Sequence, residues 1–434
     1  MDQLLPELYT LYGKYINEFR SFPSILDGCK LVERRLLYCV YDVARQNKVK
    51  AARVVGDCIG KFHPHSDQSA YGSLVQLVQN GFVEGQGNWG SNIGITSAPA
   101  AAMRYTECKA KKNTLDMAFE FINSIPKVDK EMDPEPAFLP TKLPFCLLGN
   151  SYTQGIGFGF KTYIPAYEEK DLVKRLSWLL GYRKTEPVIK PKTNCKILSN
   201  DVDLKNLLTT GKGKIVYKGN YTLELKTNSI LIHSVPEGKS FLTFLKKFEK
   251  QIQSEKSIGF VDESEKGNTN VRLKILRQRG YPLSALKDQV DKELTGSVSF
   301  ECNMCDLQGK VVLVSVDKML LDIYKVYKNV IKGVITEDIK DIDNKINELN
   351  IIKTILPELS KELKTNPDDI TKVINNISVV CSISVEILKA IFEKYTIGRL
   401  FRIKTETVDL KVSKKLKQEN LKNLEDYVWK EKYL

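Results

Sequence analysis

Residues 31–47 read LVERRLLYCVYDVARQN, with Leu31, Leu36, Leu37, Val40 and Ala44 recurring at helical spacing. That pattern predicts a helix with one buried face over 30–47. A second short helix fits 51–60. His63-Pro64-His65-Ser66-Asp67 then interrupts the chain, and Ser66 or Asp67 can N-cap a third helix from about Gln68 to Gln79. Helix, short helix, turn, helix is the spacing of a helix-turn-helix. The glycine-rich GQGNWG at 85–90 follows, and then a loop that delivers AAAMRYTE at 100–107. Residues 21–144 therefore read as a winged-helix-like domain behind a helix-prone arm at 1–20.

Working outward, the proline-rich KEMDPEPAFLPTKLP at 130–144 marks a boundary. Beyond it GKIVYKGNYTLELKTNSILIHSVP (213–236) and GNTNVRLKILRQ (267–278) alternate at period two, as strands do. FLTFLKKFEKQIQSEK (241–256) between them reads as a helix. Residues 145–316 thus predict a mixed α and β region. From 317 the chain becomes helical, with Val334, Ile339, Ile342, Ile346, Leu349, Ile352 and Leu356 spaced by threes and fours. Leu416, Leu421, Leu424 and Val428 supply a returning helix. SISVEILKAIFEKYTIGRLF (382–401) between them reads as a compact helical knob, whose apolar residues outnumber what a two-helix stalk can bury. An ordinary helical bundle fits the same periodicity. The fold class is α+β and multidomain.

Composition narrows the partners. The 434 residues carry a formal net charge of +13, a basic excess that favours a polyanion without conferring sequence readout. A lysine-rich composition with no partner attached would give the same excess. Nine cysteines are scattered through the chain, and the odd number argues for a reduced, intracellular protein. Cys302 and Cys305, in VSFECNMCDL (298–307), could form half a zinc site, but no second pair completes it. The N-terminus does not read as a signal peptide, and no stretch reaches the ~18 apolar residues of a membrane span.

The chemistry resides in Arg104-Tyr105. A tyrosine hydroxyl that attacks a DNA phosphodiester exchanges one phosphate ester for another, so the strand can be resealed without fresh chemical energy. A phenol with a reference pKa near ~10 needs a cation beside it to stabilise the phenolate and the crowded phosphorus. An adjacent arginine supplies a fixed charge with forked donors. The pair alone is a weak signal and reads more readily as a packed aromatic beside a surface charge; its surroundings decide.

Those surroundings form an ordered set: RSFPSILDGCKLVERRLLY (20–38), ARVVGDCIGKFHPHSD (52–67), EGQGNWGS (84–91), AAAMRYTE (100–107) and PTKLP (140–144). Their order and gaps resemble the breakage-reunion chain of type IIA DNA topoisomerases, known in gyrase and topoisomerase IV as the A subunit. GKGKIVY (211–217), IHSVP (232–236), FVDESE (260–265) and the knob extend the resemblance over nearly the whole chain. In length the chain is similar to the separate breakage subunit of T-even phage topoisomerases.

The resemblance implies roles for particular residues. Tyr105 is the expected nucleophile, forming a 5′-phosphotyrosyl link, with Arg104 neutralising the scissile phosphate. Arg20 and His65 support the same transition state, and His63 shapes the turn or serves as a structural histidine. Ile156 in QGIGFGF fits an apolar wedge that enters a base step and bends double-stranded DNA. That costs a few kcal/mol of unstacking, offset by contacts on the bent duplex. Gly155 and Gly157 would let the hairpin tip approach the groove. Lys30, Arg34, Arg35, Arg53 and Lys61 are expected to contact phosphates, although Arg35 and Lys61 also read as solvated surface charges. Ser66 and Gln68 open the presumed recognition helix. Relatives usually carry glycine, serine and an acidic residue where Ser66, Gln68 and Gly72 stand, which implies weak quinolone sensitivity. Pro99, in SNIGITSAPAAAM (91–103), implies a longer or rearranged loop before Tyr105.

The resemblance also implies what another chain supplies. The cleavage needs a divalent metal such as Mg2+. In this family its ligands sit in a TOPRIM domain of glutamate and Asp-x-Asp, and no such cluster stands out here. Asp262-Glu263-Ser264-Glu265 reads as a turn, and GKGK at 211–214 lacks the context of a phosphate loop. ATP and Mg2+ are therefore expected on a gyrase B-like ATPase/TOPRIM subunit, giving an A2B2 assembly with a homodimer contact at the knob, about 375–403. The expected fold is then a winged-helix domain at 21–144, an α/β tower at 145–316, and a long antiparallel coiled coil at 317–434. No wrapping domain of β-blades follows the stalk, so relaxation and decatenation are expected over negative supercoiling. The expected location is the bacterial cytoplasm or a phage-infected host cell. The competing readings are a non-enzymatic winged-helix architectural DNA binder and a cleavage-defective homologue.

Overall fold

The computed structural model describes residues 4–90, 98–239, 244–246, 258–264, 271–277, 280–365, 369–404 and 407–434. The expectations for the loop over 91–97, for most of the helix over 241–256, and for Glu265 and the GNTN run lie outside these residues. The chain divides into two compact units, Met1–Tyr327 and Lys328–Leu434.

In the first unit the three expected helices form as Leu31–Val43, Ala51–Lys61 and Asp67–Gln79. The first stops four residues short of Asn47. The Ala44 carbonyl accepts from the Ala110 N–H (2.9 Å), and Val49–Lys50 opens a strand, so backbone needed by a sheet cannot remain helical. Ser66 holds the N-cap position of the third helix without a side-chain capping bond. Leu36, Leu37, Val40, Val54, Val55, Cys58, Leu74 and Leu77 close one core beneath an antiparallel sheet. The sheet's strands run in spatial order Val49–Lys50, Glu107–Ala110, Val83–Gln86.

The rest of this unit is mixed α and β. A hairpin pairs Thr153–Ile156 with Lys161–Ile164, matching Ile156 to Lys161. It joins a five-stranded sheet through Thr295–Glu301, which pairs in turn with Lys212–Lys218. A four-stranded antiparallel sheet packs Ile230, Ile232, Leu273 and Ile275 against Leu286 and Val290 of the Leu283–Glu293 helix. The acidic run was expected to be a turn, but Asp262 ends the strand Ile258–Asp262 and Glu263 N–H donates to the Arg272 carbonyl (2.8 Å), so its start continues the strand pairing. Cys302 and Cys305 are buried with raised thiol pKa values, pushed up to about 12 by burial, and belong to no metal-sized cluster among the described residues. No helix among the described residues is long and apolar enough to cross a membrane.

The second unit holds most of a 50-residue helix, Val316–Thr365, and a returning helix, Val408–Lys422. Lys414 pairs with Asp343 and Lys417 with Asp338, both at 2.6 Å, and Lys328 pairs with Glu425. Partner numbers fall as the return rises, which makes the two helices antiparallel. The returning helix was expected to contribute Leu416, but Leu416 is 59% exposed and no residue of Val408–Lys422 is buried. Ion pairs hold this stretch where an apolar seam was expected. Towards the end of the long helix, Ile352, Ile355 and Leu359 pack with Val373, Ile377, Leu388, Ile391 and Leu400 into a separate core.

Glu348 braces that core by accepting from Lys345, Lys394 and the Tyr395 hydroxyl. Burial works against its charge, but these donors outweigh burial and hold its carboxyl down at about 2, against an ordinary 4.5. A depressed carboxyl stabilises the fold above the ordinary value and loses that contribution as pH falls through the depressed one. The wild type's stability advantage over Glu348→Gln should therefore shrink between about pH 4.5 and pH 2. Denaturant midpoints of the two proteins across that range measure it.

Candidate functional site

Arg104-Tyr105 sits on a tight turn held from several sides. Tyr105 N–H donates to the Ala102 carbonyl (2.8 Å). Ala51 and Ala52 N–H, at the start of the second helix, donate to the Thr106 and Met103 carbonyls (3.0 and 3.2 Å). Tyr71, on the third helix, donates to the Ala101 carbonyl (2.6 Å) and shares a hydrogen bond with the buried Thr106 hydroxyl (2.9 Å). The GQGNWG motif supports the same turn. Gly90 adopts φ +82°, and a Cβ there would press on the Ala98 carbonyl at 2.9 Å. On this frame the Tyr105 ring is 64% exposed and the Arg104 guanidinium stacks 4.7 Å from its centroid. Neither side chain makes a hydrogen bond or ion pair among the described residues.

A second group gathers around the His63-Pro64-His65 turn. Arg20 Nη2 donates to His65 Nδ1 (3.3 Å), and the Tyr15 hydroxyl meets His65 Nε2 (3.1 Å) while donating to Glu131 (2.9 Å). Arg35 donates to His63 Nδ1 (3.0 Å), to Glu131 (2.7 Å) and in a fork to Glu135 (2.7 and 2.9 Å). Burial, then His65 and Arg35, lower the His63 pKa to about 4; burial and Arg20 lower that of His65, with Glu131 opposing. Burial raises the Glu131 carboxyl, but Arg35 and Tyr15 outweigh it and the net shift is downward. Both imidazoles are thus neutral at neutral pH.

His63, His65 and Glu131 are close enough to hold a metal ion by distance alone, with ligand atoms within 4.8 Å of one another. The chemistry does not fit Mg2+, which takes carboxylate and water oxygens. Glu131 is the only carboxylate of the three and already serves Arg35 and Tyr15, while two guanidinium groups bond to the imidazoles.

The expected phosphate contacts divide. Arg53 is exposed on the second helix, and Ser66 and Gln68 are exposed at the start of the third. Lys61 is engaged by Asp57 (2.9 Å) and Asp42 (3.7 Å), and Lys30 donates to the Gln154 carbonyl (2.6 Å). Arg34 and Arg35 must be corrected: they are 4% and 1% exposed and reach neither a phosphate nor solvent. Arg34 forms a fork with the fully buried Asp27 (2.6 and 3.0 Å). Burial disfavours its charge, yet Asp27 raises the net pKa. The helical spacing that buries Leu31 and Leu37 also turns these arginines inward, towards carboxylates that lie seven and about a hundred residues away.

Ile156 is 85% exposed at the hairpin tip. The glycines on either side answer to the protein, not only to a groove: a Cβ on Gly155 would collide with the Ser21 carbonyl and one on Gly157 with the Asn17 side chain. Asn17 clamps Phe158, accepting from its N–H (2.7 Å) and donating to its carbonyl (3.3 Å). Ser21 donates to the Ile156 carbonyl (2.8 Å). The sequence reading missed Tyr15, Asn17, Tyr71 and Glu131. Glu131 lay inside a stretch taken as a boundary, and no local pattern marks the other three.

The family model for the A subunit of DNA gyrase and topoisomerase IV matches residues 20–433. The chain belongs to that family. The DNA gyrase A subunit of Borreliella burgdorferi is 28% identical over 429 residues, covering 92% of this chain and 52% of the relative. The DNA topoisomerase 4 A subunit of Pseudomonas aeruginosa is 30% identical over 335 residues, covering 71% of this chain and 44% of the relative. The chloroplastic/mitochondrial DNA gyrase A subunit of Arabidopsis thaliana is 30% identical over 343 residues, covering 70% and 35%. The chain spans about half the length of these relatives or less.

His63 titrates from about 4 when folded and 6.5 when free, so its neutral form stabilises the fold above pH 6.5 and that contribution is lost as pH falls towards 4. His63→Asn keeps an acceptor for Arg35 without the titration. Urea midpoints of this variant should depend less on pH between 6.5 and 4 than those of the wild type.

Proposed function

We propose that this chain is the DNA-cleaving subunit of a type IIA topoisomerase. The observation that carries the reading is an exposed Tyr105 on a braced turn, under the guanidinium of Arg104. In the proposed step the Tyr105 oxygen attacks a backbone phosphorus, the phenol gives its proton to water, and the bond to the 3′-oxygen breaks as the phosphotyrosyl bond forms, the departing 3′-oxygen taking up a proton from water. The freed 3′-hydroxyl carries out the reverse attack after a second duplex has passed. Arg104 offsets charge that develops on the phosphate, where a fixed cation contributes more than in bulk water. Arg20 and His65 serve the same phosphate. The domain assignments follow the resemblance: a winged-helix domain at 21–144, a tower at 145–316, and a stalk from 317.

The knob at about 375–403 is proposed to meet a second copy of the chain. In its favour, Val379 and Val380 are 81% and 61% exposed beside a closed core. A partner ATPase/TOPRIM chain is proposed to supply Mg2+ and ATP; in favour of this, the His63, His65 and Glu131 group offers a single carboxylate, already engaged by Arg35 and Tyr15.

Two experiments test the reading. With the partner, Mg2+ and supercoiled DNA, denaturation should release linear DNA covalently attached to the chain. Tyr105→Phe should abolish that product while DNA binding persists; retained cleavage would overturn the nucleophile. Ile156→Ala should bend a duplex less while leaving the protein's melting unchanged, because the side chain is almost wholly exposed. Fluorescence energy transfer between labelled duplex ends reads the bend.

A further inference from the structure

Tyr15 and Arg20 are five positions apart, which would put them about 140° apart on a regular α-helix. They nevertheless share a face. The α-helix Leu4–Ile16 gives way to a π-turn, Asn17–Ser21, closed by Phe22 N–H to the Asn17 carbonyl (3.1 Å). Beginning two residues after Tyr15, this i→i+5 turn shifts the helical phase that Arg20 follows, and the Arg20 guanidinium carbon lies 5.9 Å from the Tyr15 ring centroid. Both side chains end on His65.

Counting donors fixes the His65 tautomer. The Tyr15 hydroxyl has one proton, and it goes to Glu131 (2.9 Å), which as a carboxylate only accepts. Towards His65 Nε2 (3.1 Å) the same oxygen can then only accept, so Nε2 carries the proton. Arginine has no acceptor, so His65 Nδ1, 3.3 Å from Arg20, must be bare. We propose that Tyr15 is a positioning residue: by accepting from His65 Nε2–H it turns the bare Nδ1 towards Arg20 and holds that guanidinium ready for a phosphate. The inference rests on the reading that Arg20 and His65 serve the cleaved phosphate.

The charges facing His65 agree. Arg20 on the π-turn and Arg35 on the Leu31–Val43 helix disfavour an imidazolium, Glu131 on the 129–134 loop favours one, and His63 stands edge-on at 4.5 Å. Protonation at Nδ1 would eject Arg20. Without the phenol, the acceptor left near Nε2–H among the described residues is Glu131, whose oxygen lies 3.7 Å away.

The test uses the full chain labelled with 15N-histidine; it has three histidines, and His65→Gln assigns the one of interest. At neutral pH the wild type should show the Nε2–H tautomer at His65. Tyr15→Phe should mix the tautomers and raise the protonation midpoint as Glu131 closes in, and Glu131→Gln should lower it. In the reconstituted enzyme Tyr15→Phe should cleave DNA about tenfold more slowly with unchanged DNA binding, the loss following the new titration. A proton on Nδ1 in the wild type, or an unaltered tautomer in Tyr15→Phe, overturns the proposal. If the tautomers behave as expected while Arg20→Ala cleaves at the wild-type rate, the positioning bond stands and the catalytic reading of Arg20 fails.

Discussion

Arg35 is 1% exposed, and a guanidinium at that depth is tolerable only when carboxylates surround it. Glu135 takes one fork, Glu131 a third donor, and His63 the remaining contact. These bonds tie together three pieces of chain that sequence keeps apart: the first long helix, the His-Pro-His turn, and the loop before the Pro140 region. Removing one partner of such a buried pair typically costs about 3–5 kcal/mol, because the charge left behind has no water to solvate it. Asp27 plays the matching part on the neighbouring arginine. It accepts twice from Arg34 and also from the Leu139 and Cys29 amides. The two ion networks make a floor under the His63-Pro64-His65 turn, and its imidazoles stay neutral chiefly through burial, with Arg20 and Arg35 adding to the effect and Glu131 opposing it.

The N-terminal arm rests on this floor and reaches two places at once. Tyr15 and Arg20 engage His65, while Asn17 and Ser21 engage the backbone of the hairpin that carries Ile156. The π-turn makes this possible by shifting the helical phase within one turn. The hairpin glycines are needed for the same reason, since a side chain at either position would push the arm away. A displacement of the hairpin would therefore be felt at the imidazole through a few residues of continuous backbone.

Much of this was legible in the sequence because local periodicity is strong where helices bury one face. The three helices behind the His-Pro-His turn, the strand runs after 210 and the long helix from 316 all announced themselves. The exposed pair Arg104-Tyr105 and the exposed Ile156 were found from motif order. Periodicity failed where polar groups determined the packing. Leu416 looked like a seam residue, yet the return helix is held by lysine–aspartate pairs. Arg34 and Arg35 looked like phosphate ligands, since a basic pair on a helix before a turn has no local mark of burial.

Sequence by itself determined most element types, the family and the candidate dipeptide Arg104-Tyr105, all of which depend on residues near one another along the chain. Tertiary structure decided which charges lie exposed and which lie inside, because burial of a guanidinium depends on a carboxylate about a hundred residues away. It also decided the tautomer of His65, which follows from three hydrogen bonds contributed by separate segments. Those properties belong to the juxtaposition, and no single stretch of sequence encodes them.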